Sequence, residues 1–130
     1  MSFKSNIERD VSILNVIDNT TSNQITHPRI IVNVGKNSNI SIFEEIRFLG
    51  DKENLVNSVT NFILDEGSKV EHVLVDDYSE NTYQISNVLV KQKRDSNFSS
   101  YNYSNGKKLV RKDFIIELKE RGAHLSLIHI

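Results

Sequence analysis

A pattern that returns about every 27–30 residues constrains this chain more than any other feature, because stacked-repeat architectures have periods of that size. Each unit is an alternating strand, a short polar turn and a second alternating strand. The first runs Arg29-Ile-Ile-Val-Asn-Val34, a turn over 35–39, then Ile40-Ser-Ile-Phe43. The second runs Asn61-Phe-Ile-Leu64, a turn over 65–69, then Val70-Glu-His-Val-Leu-Val75. The third runs Ile85-Ser-Asn-Val-Leu-Val90, a longer turn from Lys91 to Asn97, then Phe98-Ser-Ser-Tyr-Asn-Tyr103. The fourth runs Asp113-Phe-Ile-Ile-Glu-Leu118, a turn over 119–124, then Leu125-Ser-Leu127. No single unit of this size can bury its apolar face alone, whereas units stacked on one another can. The reading is therefore all-β: a β-solenoid fragment of about four coils, with a loose polar segment at 1–10 and coils over 11–130. The pattern is still running where the sequence stops, which reads as a C-terminal truncation.

Composition agrees with a thin-cored, surface-rich fold. The hydrophobic fraction is 38%, below the usual ~45–50%, and Ser and Asn make up the difference. A formal net charge of -1 provides no field that would select nucleic acid or an anionic membrane. With no cysteine there is neither a disulfide framework nor a thiolate metal site, and a reducing cytosol is compatible. No apolar run approaches the ~20 residues of a membrane span, and the first ten residues lack the apolar core of a signal peptide. A soluble, cytoplasmic protein is expected.

Along the chain, Val11 to Ile17 alternates at period two and reads as a strand. Asp18 to Thr26 reads as a surface loop. Pro28 precedes the first full unit, where it removes no ladder hydrogen bond. Further turns fall at 50–54, from Asp76 to Asn81, and at 104–108, where Asn105-Gly106 can take positive φ. Glu44 to Phe48 could form one helical turn, but β-branched apolar positions dominate and almost no helix is expected. Val34, Leu64, Val90 and Leu118 should form one ladder before the polar turn. Ile40, Val70, Phe98 and Leu125 should form another after it, each residue ~4.8 Å from its equivalent.

Several stretches together resemble the SufD family. They are His27-Pro-Arg-Ile-Ile-Val-Asn-Val-Gly-Lys-Asn-Ser38, Ile40-Ser-Ile-Phe-Glu44, Asn57-Ser-Val-Thr-Asn61, Leu64-Asp-Glu-Gly-Ser-Lys-Val-Glu-His72, Val90 to Phe98, and Gly106 to Asp113. The resemblance covers roughly residues 10–127 and rests on the order and spacing of the stretches. The sister SufB family is similar in fold, but the cysteine-containing segment expected of it is absent. SufD-like proteins are core subunits of iron–sulfur cluster assembly. The resemblance implies a right-handed parallel β-helix flanked by helical regions, in complex with a SufB-like subunit and a SufC-like ABC ATPase. It implies SufB pairing late in the β-helix and ATPase docking on a C-terminal helical region. It also implies a non-catalytic scaffold that holds no cofactor in this segment, the cluster being handled by the full complex and ATP by the SufC-like partner. The family's functional residues lie late in the β-helix, so none is carried over: no catalytic, cofactor-binding or metal residue is assigned.

Other groupings have the residue types of a site. Lys91, Lys93, Arg94, Lys107, Lys108, Arg111 and Lys112, with Phe98, Tyr101 and Tyr103 between them, resemble a single-strand nucleic-acid patch. Interleaved Asp95, Asp113, Glu117 and Glu120 favour a solvated face instead. His27, His72, His124 and His129 read as surface or partly buried; the pattern puts His72 and His124 beside turns two coils apart, roughly 10 Å by stacking and too far to share an ion. Among carboxylate pairs, Glu44-Glu45 should point to opposite faces. Asp65-Glu66 and Asp76-Asp77 should be solvated turns, although β-helix enzymes acting on polysaccharides use such pairs as acid, base or calcium ligand. A carbohydrate-binding or -cleaving β-helix is thus the alternative reading. Sequon-like triplets at Asn19, Asn39, Asn97 and Asn102 fit chance in an Asn-rich chain. The isolated chain is expected to aggregate or dimerise through its last coil.

Overall fold

In a computed structural model, which describes residues 1–77 and 79–129, the chain winds as a parallel solenoid of two facing sheets. The described strands are β1 (Ser2–Phe3), β2 (Glu8–Ile17), β3 (Gln24–Thr26), β4 (Arg29–Val34), β5 (Asn39–Phe48), β6 (Asn54–Leu64), β7 (Lys69–Asp76), β8 (Ser79–Gln92), β9 (Asn97–Ser104), β10 (Lys107–Leu118) and β11 (His124–His129). One sheet has the order β1-β4-β6-β8-β10, with β3 also on β6; the other has the order β2-β5-β7-β9-β11. Each coil gives one strand to each sheet and then rises to the next. No described residue is helical, and Glu44 to Phe48 is strand.

The polar turns between the sheets stack on one another. Asn6, Asn37, Gly67, Asp95 and Gly122 hold positive φ, between 53 and 80°. These are the residue types that tolerate the left-handed region. Along this corner the amides of Asn6, Asn37, Gly67 and Asp95 donate to the carbonyls of Lys36, Glu66, Arg94 and Arg121 in the next coil. Ser38, Ser68 and Ser96 follow, each buried. Ser38 donates to the Lys4 carbonyl, Ser68 to Asp65 and Ser96 to Lys93, each at 2.7 Å. Gly106, at the opposite corner, has φ 65°.

The ladder after the turn is the expected one: Ile40, Val70, Phe98 and Leu125 are in register. The ladder before it is Val34, Leu64, Gln92 and Leu118, so Val90 does not belong there. Val90 pairs with Phe62 and Ile116, two residues earlier. The turn expected from Lys91 to Asn97 is correspondingly shorter, with Lys91 and Gln92 still in β8 and β9 starting at Asn97. A buried glutamine explains the shift. Gln92 Nε2 donates to the His124 carbonyl at 2.8 Å and the Ser96 carbonyl at 3.2 Å. It therefore occupies an interior position that an apolar pattern does not reveal.

Residues 1–10, expected to be loose, lie against the first full coil. Ser2–Phe3 pair with Asn33–Val34, and β2 starts at Glu8 opposite Asn39. Within the stretch expected as a loop, Gln24–Thr26 pair with Asn54–Val56. Pro28 separates this short strand from β4, so two short strands lie beside the single long β6. The turn expected from Asp76 to Asn81 is also shorter, because β7 runs through Asp76 and β8 begins at Ser79.

The apolar core fills the half of the interior nearest the stacked turns. Val32, Val34, Ile40, Ile42, Phe62, Leu64, Val70, Val90 and Phe98 are buried together, and the Phe62 and Phe98 rings pack with centroids 4.9 Å apart. A smaller cluster of Ile17, Ile46 and Val56 fills the other half in the early coils. Further along the axis that half turns polar.

Candidate functional site

Strand parity places the polar groups. On β5, Ile40, Ile42, Glu44 and Ile46 are buried while Ser41, Phe43 and Arg47 are exposed. Glu45 points outward and pairs with Arg47 at 2.5 Å, so the two adjacent glutamates diverge as expected. Glu44, however, is only 6% exposed. On β7, His72 is an interior strand residue, not a turn neighbour, and is also buried. Ser100 follows in register on β9.

These residues form a spine across four strands. Asn15 Nδ2 donates to Glu44 Oε1 at 2.9 Å. His72 Nε2 lies 2.8 Å from Glu44 Oε2, and His72 Nδ1 lies 2.9 Å from Ser100 Oγ. A carboxylate can only accept, so Nε2–H donates to Glu44, and Nδ1 shares the second bond with the Ser100 hydroxyl, which can either donate or accept. The His72 ring also rests on Phe62, centroids 5.1 Å apart. Asn54 and Thr82, at 2.9 Å, and Ser58 and Ser86, at 3.0 Å, add parallel bridges from coil to coil.

A second group lies further along the same half of the interior. Asp76, expected in a solvated turn, is buried. Lys107 Nζ approaches it at 3.2 Å, donates to the Asp77 carbonyl and lies 4.7 Å from the Phe48 ring centre. Lys112 Nζ is enclosed without a hydrogen-bond partner. Burial pushes its ammonium below its usual range, partly opposed by the charges of Asp76 and Glu44 and reinforced by Lys107.

The candidate nucleic-acid patch is thus divided. Lys107 and Lys112 face inward. Lys93 pairs with Asp65 at 3.4 Å, Arg94 with Glu120 at 3.6 Å, Lys108 with Glu53 at 2.9 Å and Arg111 with Asp113 at 3.0 Å. Phe98 belongs to the core. Tyr101 and Tyr103 lie on the other sheet, away from Lys91 and Arg111. Among the carboxylate pairs, Asp65 does sit in a turn. The Glu66 amide at 2.8 Å, with help from Lys93, holds its carboxyl below the usual range. Among the described residues no three His, Asp or Glu side chains converge as metal ligands. Two of the sequon asparagines, Asn19 and Asn102, are buried. His27 and His124 are exposed, and the side chain of His129 lies outside the described residues.

Serine, imidazole and carboxylate in line have the geometry of a nucleophilic triad. The chemistry needs access, however, and Ser100 is 1% exposed. The cavity beside Glu44 and His72 is about 30 Å³, room for one or two waters and not for a substrate. Sequence reasoning missed this spine, although a signal was present. Residues 44, 72 and 100 recur at a spacing of 28, as do 54 and 82, and 58 and 86.

The class defined by these features is a two-sheet parallel β-solenoid with a sealed polar spine. The model of the family described as "SUF system FeS cluster assembly, SufBD core domain" matches residues 16–130. The chain is 30% identical over 99 residues to the iron–sulfur cluster assembly protein SufD of Plasmodium berghei (strain Anka), covering 75% of this chain and 7% of that protein. It is 32% identical over 96 residues to the SufD of Plasmodium falciparum (isolate 3D7), covering 73% and 7%. No solved structure matches the chain. The chain belongs to the SufB/SufD core-domain family of iron–sulfur cluster assembly subunits. It spans 7% of the length of these curated relatives.

Proposed function

We propose that the chain serves as a non-catalytic, SufD-like scaffold within a SUF-type assembly complex in the cytoplasm. Its partners are a SufB-like subunit and a SufC-like ABC ATPase. This segment holds no cofactor of its own: the cluster is cargo of the complex, and ATP belongs to the ATPase. The observation that carries the reading is the family match over residues 16–130, on a solenoid whose one triad-like constellation is sealed from substrate. A carbohydrate-cleaving β-helix would need convergent acidic groups in an open cleft. Here Glu44 and Asp76 are buried, Glu45 faces outward, and Asp65 is held by a turn amide and Lys93.

The test is co-purification. The polypeptide carrying this chain is tagged in its host and isolated under mild conditions. Recovery of SufB-like and SufC-like proteins in fixed ratio is the expected result. Their absence, with the tagged protein folded and soluble, refutes the proposal.

A further inference from the structure

On the sheet of β2, β5, β7, β9 and β11 the outward side chains form rows that cross the coils. One row holds Phe43, Val73 and Tyr101 in register; the next holds Val75 and Tyr103, beside the Glu45–Arg47 pair. Phe43 and Tyr103 are exposed, and Val73, Tyr101 and Val75 are half-buried. A strand face turned to water ordinarily alternates to polar residues, and parallel sheets mostly have both faces covered, usually by helices. Coils stack along the solenoid axis, so no coil, present or added, covers this face. Beside Phe43 the face is concave. An open groove of about 210 Å³ runs over Ser41 and is walled by Phe43, Val73, Asp10 and Glu71. Asp10, Ser41 and Glu71 are register partners on three successive coils, so the two acids leave the sheet about 10 Å apart with the short serine between them. Glu45, Glu53, Asp65 and Asp113 each pair with a lysine or arginine. The carboxylates of Asp10 and Glu71 form no ion pair or hydrogen bond among the described residues. No cation lines the groove, and Arg9 donates to the Glu8 carbonyl instead.

We infer that this face docks an amphipathic helix of a partner protein, with an arginine from the margin of its apolar stripe seated in the groove. The stripe covers Phe43, Val73, Tyr101 and Tyr103, as an apolar helix face covers a sheet. The arginine stem runs along Phe43. Its guanidinium has donors on both edges and reaches Asp10 on one side and Glu71 on the other, across Ser41.

Charge selects this occupant. A segment with an acid or a phosphate at the groove would meet two carboxylates, and so would an anionic lipid surface; like charges brought together at an interface disfavour the wrong partner. A second copy of this chain, laid face to face, brings the same Asp10 and Glu71 and no cation from its own groove. Arginine set among aromatic residues is also the composition that concentrates binding energy at interfaces. The inference stands independently of the cluster-assembly reading.

The test uses the whole chain and a set of labelled, helix-stapled peptides with one leucine stripe. At the margin of the stripe one carries arginine, one glutamine and one glutamate; a further peptide has the arginine on the opposite face, with the same composition. Binding is read by fluorescence anisotropy. The margin-arginine peptide should bind at least about tenfold tighter than the glutamine peptide and the displaced-arginine peptide, and the glutamate peptide weakest of all. The arginine preference should vanish on a chain carrying Asp10→Asn and Glu71→Gln, and the order should reverse on one carrying Asp10→Lys and Glu71→Lys. Phe43→Ser with Tyr101→Ser should abolish binding of every peptide; all these positions face outward, so circular dichroism should match the wild type. Equal binding of the peptides overturns the inference, as does an arginine preference that survives loss of both acids, or the absence of any binding. Self-association of the chain that Phe43→Ser removes also overturns it, because the occupant would then be a second copy.

Discussion

Glu44 and His72 should behave as one energetic unit. The informative perturbation is a double-mutant cycle of Glu44→Leu, His72→Phe and the pair together. Glu44 accepts from Asn15 at 2.9 Å and from His72 at 2.8 Å in a nearly solvent-free interior. Removing its carboxylate leaves the buried His72 and the half-buried Asn15 without an acceptor, each costing about 1–3 kcal/mol. Glu44→Leu should therefore destabilise by about 3–5 kcal/mol, the usual cost of breaking one side of a buried pair. His72→Phe keeps a ring beside Phe62 but leaves the carboxylate with Asn15 alone, and should cost about as much. The double variant removes both members of the pair and strands only the Asn15 amide and the Ser100 hydroxyl, for roughly 2–6 kcal/mol in all. The coupling energy is then on the order of 3–5 kcal/mol, well beyond the additivity error of about 0.5 kcal/mol. A domain of this size has about 5–15 kcal/mol in total, so each single variant should lower the thermal midpoint by about 10–20 °C. Equilibrium denaturation followed by circular dichroism measures all four corners of the cycle. Additive costs in the double variant would refute the reasoning.

Three further outcomes follow from the same interior. Phe62→Ala removes a ring packed against both Phe98 and His72 and should cost about 3–5 kcal/mol in denaturant titration. Gly67→Ala places a Cβ against the Asn37 side chain at a φ of +69° and should cost about 1–2 kcal/mol, whereas Ala at the exposed, extended Ser41 should be near neutral in the same assay. Lys112→Met should raise the thermal midpoint near neutral pH by deleting an unpartnered buried ammonium. Burial pushes the folded-state value of Lys112 below its ordinary 10.5, so between the two values the unfolded chain binds more protons and stability rises with pH. The penalty is fully present below that window. The gap between variant and wild type should be widest near neutrality and narrow toward about pH 10; a gap independent of pH would contradict this.

The framework was legible because apolar alternation and turn chemistry are local properties. Arg29 to Val34, the stacked turns and the ladder of Ile40, Val70, Phe98 and Leu125 can all be read from short windows. The polar spine was not, because acid, imidazole and hydroxyl groups are mostly exposed in globular proteins. In a solenoid, inward or outward direction is set by the register of the coil whatever the polarity of the residue. Glu44 is inside because Ile42 and Ile46 are inside, and Lys112 because Phe114 and Ile116 are. The basic cluster looked like one surface for the converse reason: residues adjacent in sequence on β10 point to opposite sides of the sheet.

The misplacement of Val90 shows what the polar interior contributes to the fold. Val88, Val90, Phe62 and Leu64 all face inward, so sliding β8 by two residues along β6 would keep every apolar side chain inside. Apolar burial alone discriminates weakly between those two registers. The polar pairs discriminate strongly. A two-residue slip would separate Thr82 from Asn54 and Ser86 from Ser58, and would carry Gln92 away from the Ser96 and His124 carbonyls. Each buried group left unpaired costs about 1–3 kcal/mol, and one slip disrupts all three sets of contacts. That total is comparable to the stability of a whole domain. The interior bridges therefore act as register pins between otherwise similar coils, a role that buried polar groups serve in other repeating folds. A stack of coils needs such pins, because a coil out of step would displace every coil stacked after it.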